Sequence, residues 1–453
     1  MSNDSISERA IVIGASMSGL LAARVLSNHF RQVVVFERDR LPETSAQRKG
    51  VPQGRHTHGL LASGGRALEA LFPNLSKELV ELGAVCGDLA NKSRRFFEGA
   101  PLARCKSGGN GILMSRPLLE DCVRRRVKGI ANVEFRDGTS VLSLTTSSDR
   151  ARITGLTTDD GEFPAALIVD ATGRGSRTPQ FLAELGYAAP VEERIEIGLS
   201  YTTRLFRRRA EQLNGDLMAL IPATPSKKRG GVLLAQEKDS WTVTLWSYFG
   251  DGPTTDLASF RAYARTLSAG YIYEAIQDAE PIGEGLASRF PASVRRRYER
   301  LKGFPAGLVV FGDAISSFNP LHGQGMSVAA QQALAFEKAL RLGCDGLARR
   351  FFRAAAQIID TPWKITAGAD LRIPETQGPR TTAVRLMNWY MSKLHRAGHH
   401  DAAIALAFHN VVNLIAPAPR LLAPGMVFRV VKGNLFRPYD ENRPCAAHLS
   451  ISE

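Results

Sequence analysis

The chain has 453 residues, 44% of them hydrophobic and 23% charged, which excludes a disordered polymer and suits a globular protein of two or three structural units. Its net charge is +14, but the arginine triplets at 124–126, 207–209 and 295–297 lie far apart, whereas a nucleic-acid binder clusters such charge among aromatic residues. The basic balance suits an anionic cofactor, an acidic substrate, an anionic membrane surface or simple solubility, and no nucleic-acid partner is expected.

Near the N-terminus, Arg9–Ile13 reads as a buried strand and Leu20–Leu26 as a helix. Between them stands Gly14-Ala-Ser16-Met-Ser-Gly19, a G-x-G-x-x-G fingerprint with serine at its middle position. Where a strand runs into a helix N-terminus, free backbone N–H groups and a partial positive charge suit a phosphate. A second strand, Gln32–Phe36, ends at Glu37, about 20 residues beyond the glycines, where a carboxylate can bind ribose hydroxyls. The unit reads as a dinucleotide-binding βαβ motif.

A loop from Leu41 to His58 follows, then a helix over roughly 63–72 and strand-like Arg94–Phe97. Ser115 and Pro117 are predicted to open a helix that runs through Val127. Residues 139–144 and 152–157 are predicted to pair as a hairpin, and Ala165–Val169 is a buried strand ending in Asp170-Ala-Thr-Gly173. From about 195 to 280 the pattern changes: Ile197–Phe206, Gly231–Ala235 and Trp241–Tyr248 are β-rich and aromatic, as in a separate antiparallel sheet. Core packing is the expected role of Trp241, Trp246, Tyr248 and Phe249, since half of a strand's side chains face inward whatever the function.

The nucleotide-binding pattern resumes at Gly307–Phe311. It continues into Gly312-Asp313, Asn319-Pro320 and Gly323-Gln324-Gly325-Met326, read as a second strand, glycine turn and helix start for the other end of the same ligand. Two such segments so far apart in sequence point to bound FAD. Beyond residue 346 the chain is mostly helical with proline-rich joints. Ala402–Pro419 lacks full charges, but it carries His409, Asn410, Asn413 and two prolines, and Phe408, Val411, Val412 and Ile415 have helical spacing; a packed helix is expected there. The predicted division is an FAD-binding domain in three pieces (1–84, 115–190 and 286–345), substrate-domain segments at 85–114 and 191–285, and a helical region over 346–453.

In their order, Gly14–Gly19, Glu37-Arg38, Asp170–Gly173 and Gly312-Asp313 with Pro320 and Gly323-Gln-Gly325 resemble the FAD monooxygenases of the p-hydroxybenzoate hydroxylase fold. The loop Arg48–His58 and the segment His322–Ser327 look more like one branch, the bacterial polyether epoxidases, which are akin to squalene epoxidases. The likeness runs from Ala10 to about Arg429. It implies an α/β architecture, with a Rossmann-like FAD-binding domain interleaved with an antiparallel-sheet substrate domain and followed by C-terminal helices.

The resemblance also implies roles. Gly14, Ser16 and Gly19 would sit on the FAD pyrophosphate, Glu37 on the adenosine ribose, Arg38 near adenine or ribose, and the Val141 backbone against adenine. Arg48 and Arg116 would lie near the phosphates and ribityl chain, and Asp313 would bind a ribityl hydroxyl or pyrophosphate-side group. Gly323, Gln324, Gly325 and Met326 would bring helix N–H groups to the pyrimidine edge of the isoalloxazine. The family's Asp-Gly motif reads Asp170-Ala-Thr-Gly173 here, with Arg174 and Arg177 placed to help with a nicotinamide cofactor.

The activity so implied is an NAD(P)H- and O2-dependent monooxygenase, acting through a flavin C4a-hydroperoxide to epoxidise or hydroxylate a fairly large apolar metabolite of polyketide or terpenoid type. The cofactor carries the hard step, so no catalytic side chain is singled out. The alternative is a flavin-dependent reductase or desaturase of an isoprenoid-type substrate without oxygen insertion. A halogenase predicts Trp-x-Trp-x-Ile-Pro, which Trp241–Trp246 does not match, and a serine hydrolase fails for want of a G-x-S-x-G elbow. His56 and His58 lie in a loop that could close over the flavin or meet NAD(P)H phosphates, with simple exposure the more common case, and His322, just before the flavin-side helix, is as open to a turn-shaping role as to another. The five cysteines, including Cys445, have no C-x-x-C spacing, which implies a reduced, cytoplasmic protein without a metal site. Membrane contact is left open only as a peripheral one, and no obligate protein partner is inferred.

Overall fold

The computed structural model describes residues 7–436 apart from 49, 51–53 and 55; Cys445 lies outside the described residues. Five parallel strands form the central sheet, in the order Leu308–Val310, Leu167–Asp170, Ser7–Ile13, Phe30–Glu37 and Val133–Asp137. Their near-continuous apolar sequences follow from cover on both faces. On one face, Val12, Val33, Val35 and Val169 pack into a core shared with the helices Met17–Leu26, Arg116–Lys128 and Gly325–Leu340. On the other, Ile11, Val34, Phe36 and Ile168 meet Ile153 and Leu156 of a small antiparallel sheet. That sheet contains the predicted hairpin, Val141–Thr146 against Ile153–Thr158, with Gly161–Pro164 added. Ser115 caps the Arg116 helix as predicted, accepting a hydrogen bond from the Leu118 N–H at 3.3 Å.

The β-rich region forms an eight-stranded sheet. Its long central pair, Glu192–Arg207 and Pro281–Arg296, is antiparallel, and Met218–Ile221 beside Ser93–Phe97 is its one parallel pair. Trp241, Trp246 and Tyr248 are buried core residues, as expected, whereas Phe249, just past the strand end, is exposed. The C-terminal region consists of the helices Leu347–Asp370, Thr382–Ala397, Ala402–Val412 and Pro424–Phe436. The Ala402 helix buries Ile404, Ala405, Phe408 and Val411, so it is the packed helix its spacing predicted.

The second glycine segment departs from the expected strand–turn–helix. After Leu308–Val310 come a 3-10 turn at Gly312–Ala314, the short strand Ser316–Ser317 and another 3-10 turn at Pro320–His322; the helix starts only at Gly325. The reason lies in the other sheet: Ser316 and Ser317 pair with Arg295 and Val294, so the chain crosses to it before returning to the helix.

Candidate active site

Both glycine segments open onto one cavity of about 710 Å³. It lies beyond the carboxyl ends of the parallel strands, against the eight-stranded sheet, where open α/β sheets bind ligands. Gly14, Ser16, Glu37, Arg38, Arg116, Val141, Asp313, Gly323, Gln324, Gly325 and Met326 all line it; Gly19 and Arg48 do not.

Gly14 turns the chain with φ +102°, donates its N–H to Phe36 O at 2.8 Å, and has no room for a Cβ, which would lie 2.8 Å from Ala171 O. Gly19 serves packing rather than ligand contact: a Cβ there would stand 1.7 Å from the Gly14 carbonyl oxygen, so its absence lets the helix press onto the turn. The first intrahelical bond runs from Leu20 N–H to Ser16 O, which leaves the preceding N–H groups of the helix for a ligand. Ser16 accepts a hydrogen bond from Arg116 at 2.7 Å, so the residue in place of glycine anchors a cavity-lining guanidinium.

At one end of the cavity stand Glu37, Arg38 and Val141. The Glu37 carboxylate accepts from the Ala15 N–H at 2.9 Å and the Asp39 N–H at 3.1 Å. Arg48 lies behind the turn instead of beside the ligand. It is buried between Glu37, at 3.1 Å, and Glu120, at 2.5 Å, and donates to Ala15 O. Burial opposes the Arg48 charge, but Glu120 and Glu37 outweigh it and hold its pKa above the ordinary value. The loop carbonyls and carboxylates that it satisfies explain its place inside.

At the other end, the Gly325 helix points its first turn into the cavity, with Val328 N–H to Gln324 O as its first internal bond. The Gln324 side-chain oxygen is buried without a hydrogen-bond partner among the described residues. Gly175 also lines the cavity, and a Cβ there would meet nothing. Two helix N-termini, one at each segment, an orphaned acceptor and an open glycine wall fit an elongated ligand with a central pyrophosphate and a ring bearing an N–H, as FAD has.

Asp313, in the second segment, lines the cavity. Burial pushes its pKa up, against the pull of Arg116 and Arg174. Asp313→Ala is expected to weaken FAD retention roughly tenfold to a hundredfold, the range for a hydrogen bond to a charged group. Flavin content after gel filtration measures this; full yellow occupancy contradicts it.

His56 and His58 are not the exposed loop residues the sequence suggested, because the loop folds against the second sheet. His58 donates Nδ1–H to His56 O at 2.8 Å and receives the Arg116 guanidinium at Nε2, 3.2 Å away. Burial, then Arg116, press its pKa down to about 3, below an unfolded value near 6.5. The folded state therefore binds fewer protons across that window, so stability present above pH 6.5 is withdrawn as pH falls toward 3. Thermal melts are expected to drop below pH 6.5, and His58→Gln to flatten that drop; an unchanged profile contradicts the assignment.

His56 is buried, its ring 2.8 Å from Thr203 Oγ1 through Nδ1 and 2.7 Å from Ser288 Oγ through Nε2. Its ring lies edge-on to Tyr201, with centroids 4.5 Å apart. Ser288 and Tyr201 line the cavity, and Thr203 passes the chain on to Thr244 at 2.5 Å. Nothing in the sequence marked this network, since its members come from four separate segments. Only His56 had been singled out.

Asp170 proves to be a turn organiser: its carboxylate accepts from the Thr172 N–H at 2.9 Å and from the hydroxyls of Thr172, Ser176 and Thr178. Arg174, over the Phe290 ring at 4.9 Å, and Arg177, over Phe181 at 5.0 Å, make one cavity wall basic. His322 approaches Asp370 at 3.1 Å, and Asn319 and Tyr248 join the same carboxylate, so the turn before Gly323 is tied to the Leu347 helix.

Comparison with known proteins agrees with this geometry. Residues 8–351 match the family model described as FAD binding domain. Protein Rv3254 of Mycobacterium tuberculosis is 35% identical over 407 residues, covering 84% of this chain and 83% of the relative. PqsL of Pseudomonas aeruginosa, a probable FAD-dependent monooxygenase, has 19% identity and a TM-score of 0.62 over 81% of this chain and 97% of its own. A flavoprotein/dehydrogenase of Cytophaga hutchinsonii has 14% identity and a TM-score of 0.66 over 94% and 98%. The flavin-dependent brominase Bmp2 has 12% identity and a TM-score of 0.64 over 93% and 98%. At these identities the solved structures speak for the fold; the family match, spanning both glycine segments and the cavity between them, speaks for the cofactor. The chain belongs to the FAD-binding domain family.

Proposed function

We propose that this protein is an FAD-dependent monooxygenase that uses NAD(P)H and O2 to epoxidise or hydroxylate a fairly large apolar metabolite. The observation that carries the reading is the single cavity joining Glu37 and Arg38 to the Gly325 helix and on to Tyr201, Ser288 and Phe290 of the second sheet. Bound FAD supplies the electron and oxygen chemistry, and the chain supplies position, charge and dryness. Residues of the first segment would hold the pyrophosphate. The N–H groups of the Gly325 helix would bind the pyrimidine edge of the ring and would favour negative charge there by about 1–2 kcal/mol. Arg174 and Arg177 give a transient nicotinamide cofactor an anion-binding wall, without a second nucleotide domain.

His56 holds a proton between Ser288 at the cavity wall and Thr203 behind it. His56→Ala is expected to leave FAD bound and to lower turnover about a hundredfold, the lower range for general acid–base help. An unchanged kcat would remove His56 from the mechanism.

The test of the reaction class is incubation with NADPH, 18O2 and a lipophilic metabolite extract. One 18O atom in a consumed component supports the monooxygenase; an unlabelled product with altered C–C unsaturation supports the reductase or desaturase reading.

A further inference from the structure

The C-terminal helices carry an apolar face that no part of the described chain covers. In the helix Pro424–Phe436, Val430 is buried, and Asn434 donates to Lys393 O at 2.9 Å, so one side faces the body of the protein. The other side presents Phe428, Val431 and Leu435, spaced i, i+3 and i+7, with Phe428 69% and Leu435 70% exposed. The neighbouring helix Thr382–Ala397 adds Leu386 at 63% and Trp389 at 58%. A surface helix ordinarily turns charge and polarity outward, and soluble monomers seldom leave such a patch uncovered.

The charges around this face have one sign. From residue 376 to 436 there are seven Lys and Arg and a single acid, Asp401. Asp401 is already taken by Arg429 at 3.0 Å. Arg385, Arg420 and Lys432 are exposed and have no carboxylate partner among the described residues. Lys432 lies inside the Phe428–Leu435 stripe. Among the described residues no helix is long and apolar enough to cross a bilayer.

We propose that the outer face of these two helices docks on an anionic lipid bilayer, its aromatic and leucine side chains entering the interface and its lysines and arginines meeting the headgroups. Apolar side chains flanked by cations on a short helix are the composition of a segment that lies in the interface plane. A partner protein would be expected to answer Arg385, Arg420 and Lys432 with its own carboxylates; a bilayer surface supplies both the negative charge and the apolar layer beneath it. The inference stands apart from the reading of the cavity.

The experiment is co-sedimentation of the full-length protein with vesicles of phosphatidylcholine alone and of phosphatidylcholine with about 30% phosphatidylglycerol. Binding is expected to the anionic vesicles and to fall steeply with salt. The triple variant W389S/F428S/L435S is expected to bind on the order of tenfold more weakly. The exposed charge pair Arg385→Gln and Lys432→Gln is expected to lose roughly tenfold and keeps the test valid if the triple variant misfolds. No binding, equal binding to neutral vesicles, or a dimer in sedimentation velocity that the triple variant dissolves would each overturn the proposal.

Discussion

Arg48→Ala is expected to destabilise the folded protein by about 3–5 kcal/mol, the usual consequence of removing one partner from a buried ion pair. The guanidinium joins Glu37 and Glu120 and also satisfies Ala15 O, all behind the pyrophosphate turn. Without it two buried carboxylates face each other across an emptied space, and one of them also holds the Ala15 N–H. The loss therefore reaches the FAD turn although Arg48 does not line the cavity. Urea unfolding with and without added FAD measures it. Adding Glu37→Gln and Glu120→Gln to the alanine variant should recover part of the stability, since neutral amides need no counter-ion; a single variant within 1 kcal/mol of the parent would contradict the account.

Gly19→Ala is expected to cost about 3 kcal/mol and most of the bound FAD. Overpacking usually costs 1–3 kcal/mol, and this site stands at the upper end because the obstacle is backbone. The added Cβ would lie 1.7 Å from Gly14 O, and Gly14 is itself fixed by φ +102° and by Ala171. No side chain can swing aside, so the helix must lift from the turn and carry its N–H groups away from the phosphate. The contrast is Gly175→Ala, where a Cβ meets nothing: it should leave the melting temperature nearly unchanged. Equal behaviour of the two variants would refute the packing argument.

Much of the nucleotide end was legible in the sequence. The spacing of Gly14, Gly19 and Glu37 is a pattern within one βαβ unit, so a linear reading can place it. The apolar runs Val33–Val35 and Leu308–Val310 likewise announce strands covered on both faces. What stayed hidden depends on contacts between remote segments. The resemblance put Arg48 near the phosphates and ribityl chain, but Glu120, 72 residues away, draws it inward. His56 and His58 looked like loop residues; Thr203, Ser288 and Arg116, each from another element, bury them. The detour at Ser316–Ser317 was invisible for the same reason, since its partner strand lies in the other sheet. Asp170 read as a displaced family motif, and only the three hydroxyls around it define its work in the turn.

On the proposed reading, the cavity between the two glycine segments holds FAD and passes electrons from NAD(P)H to oxygen. The most direct measurement is the absorbance spectrum of the purified protein, taken first without oxygen on adding NADPH or NADH and then after admitting air. The account predicts a flavin spectrum that bleaches with one of the two nucleotides and returns in air, with hydrogen peroxide formed when no substrate is present. A colourless protein that cannot be reconstituted with FAD would contradict it.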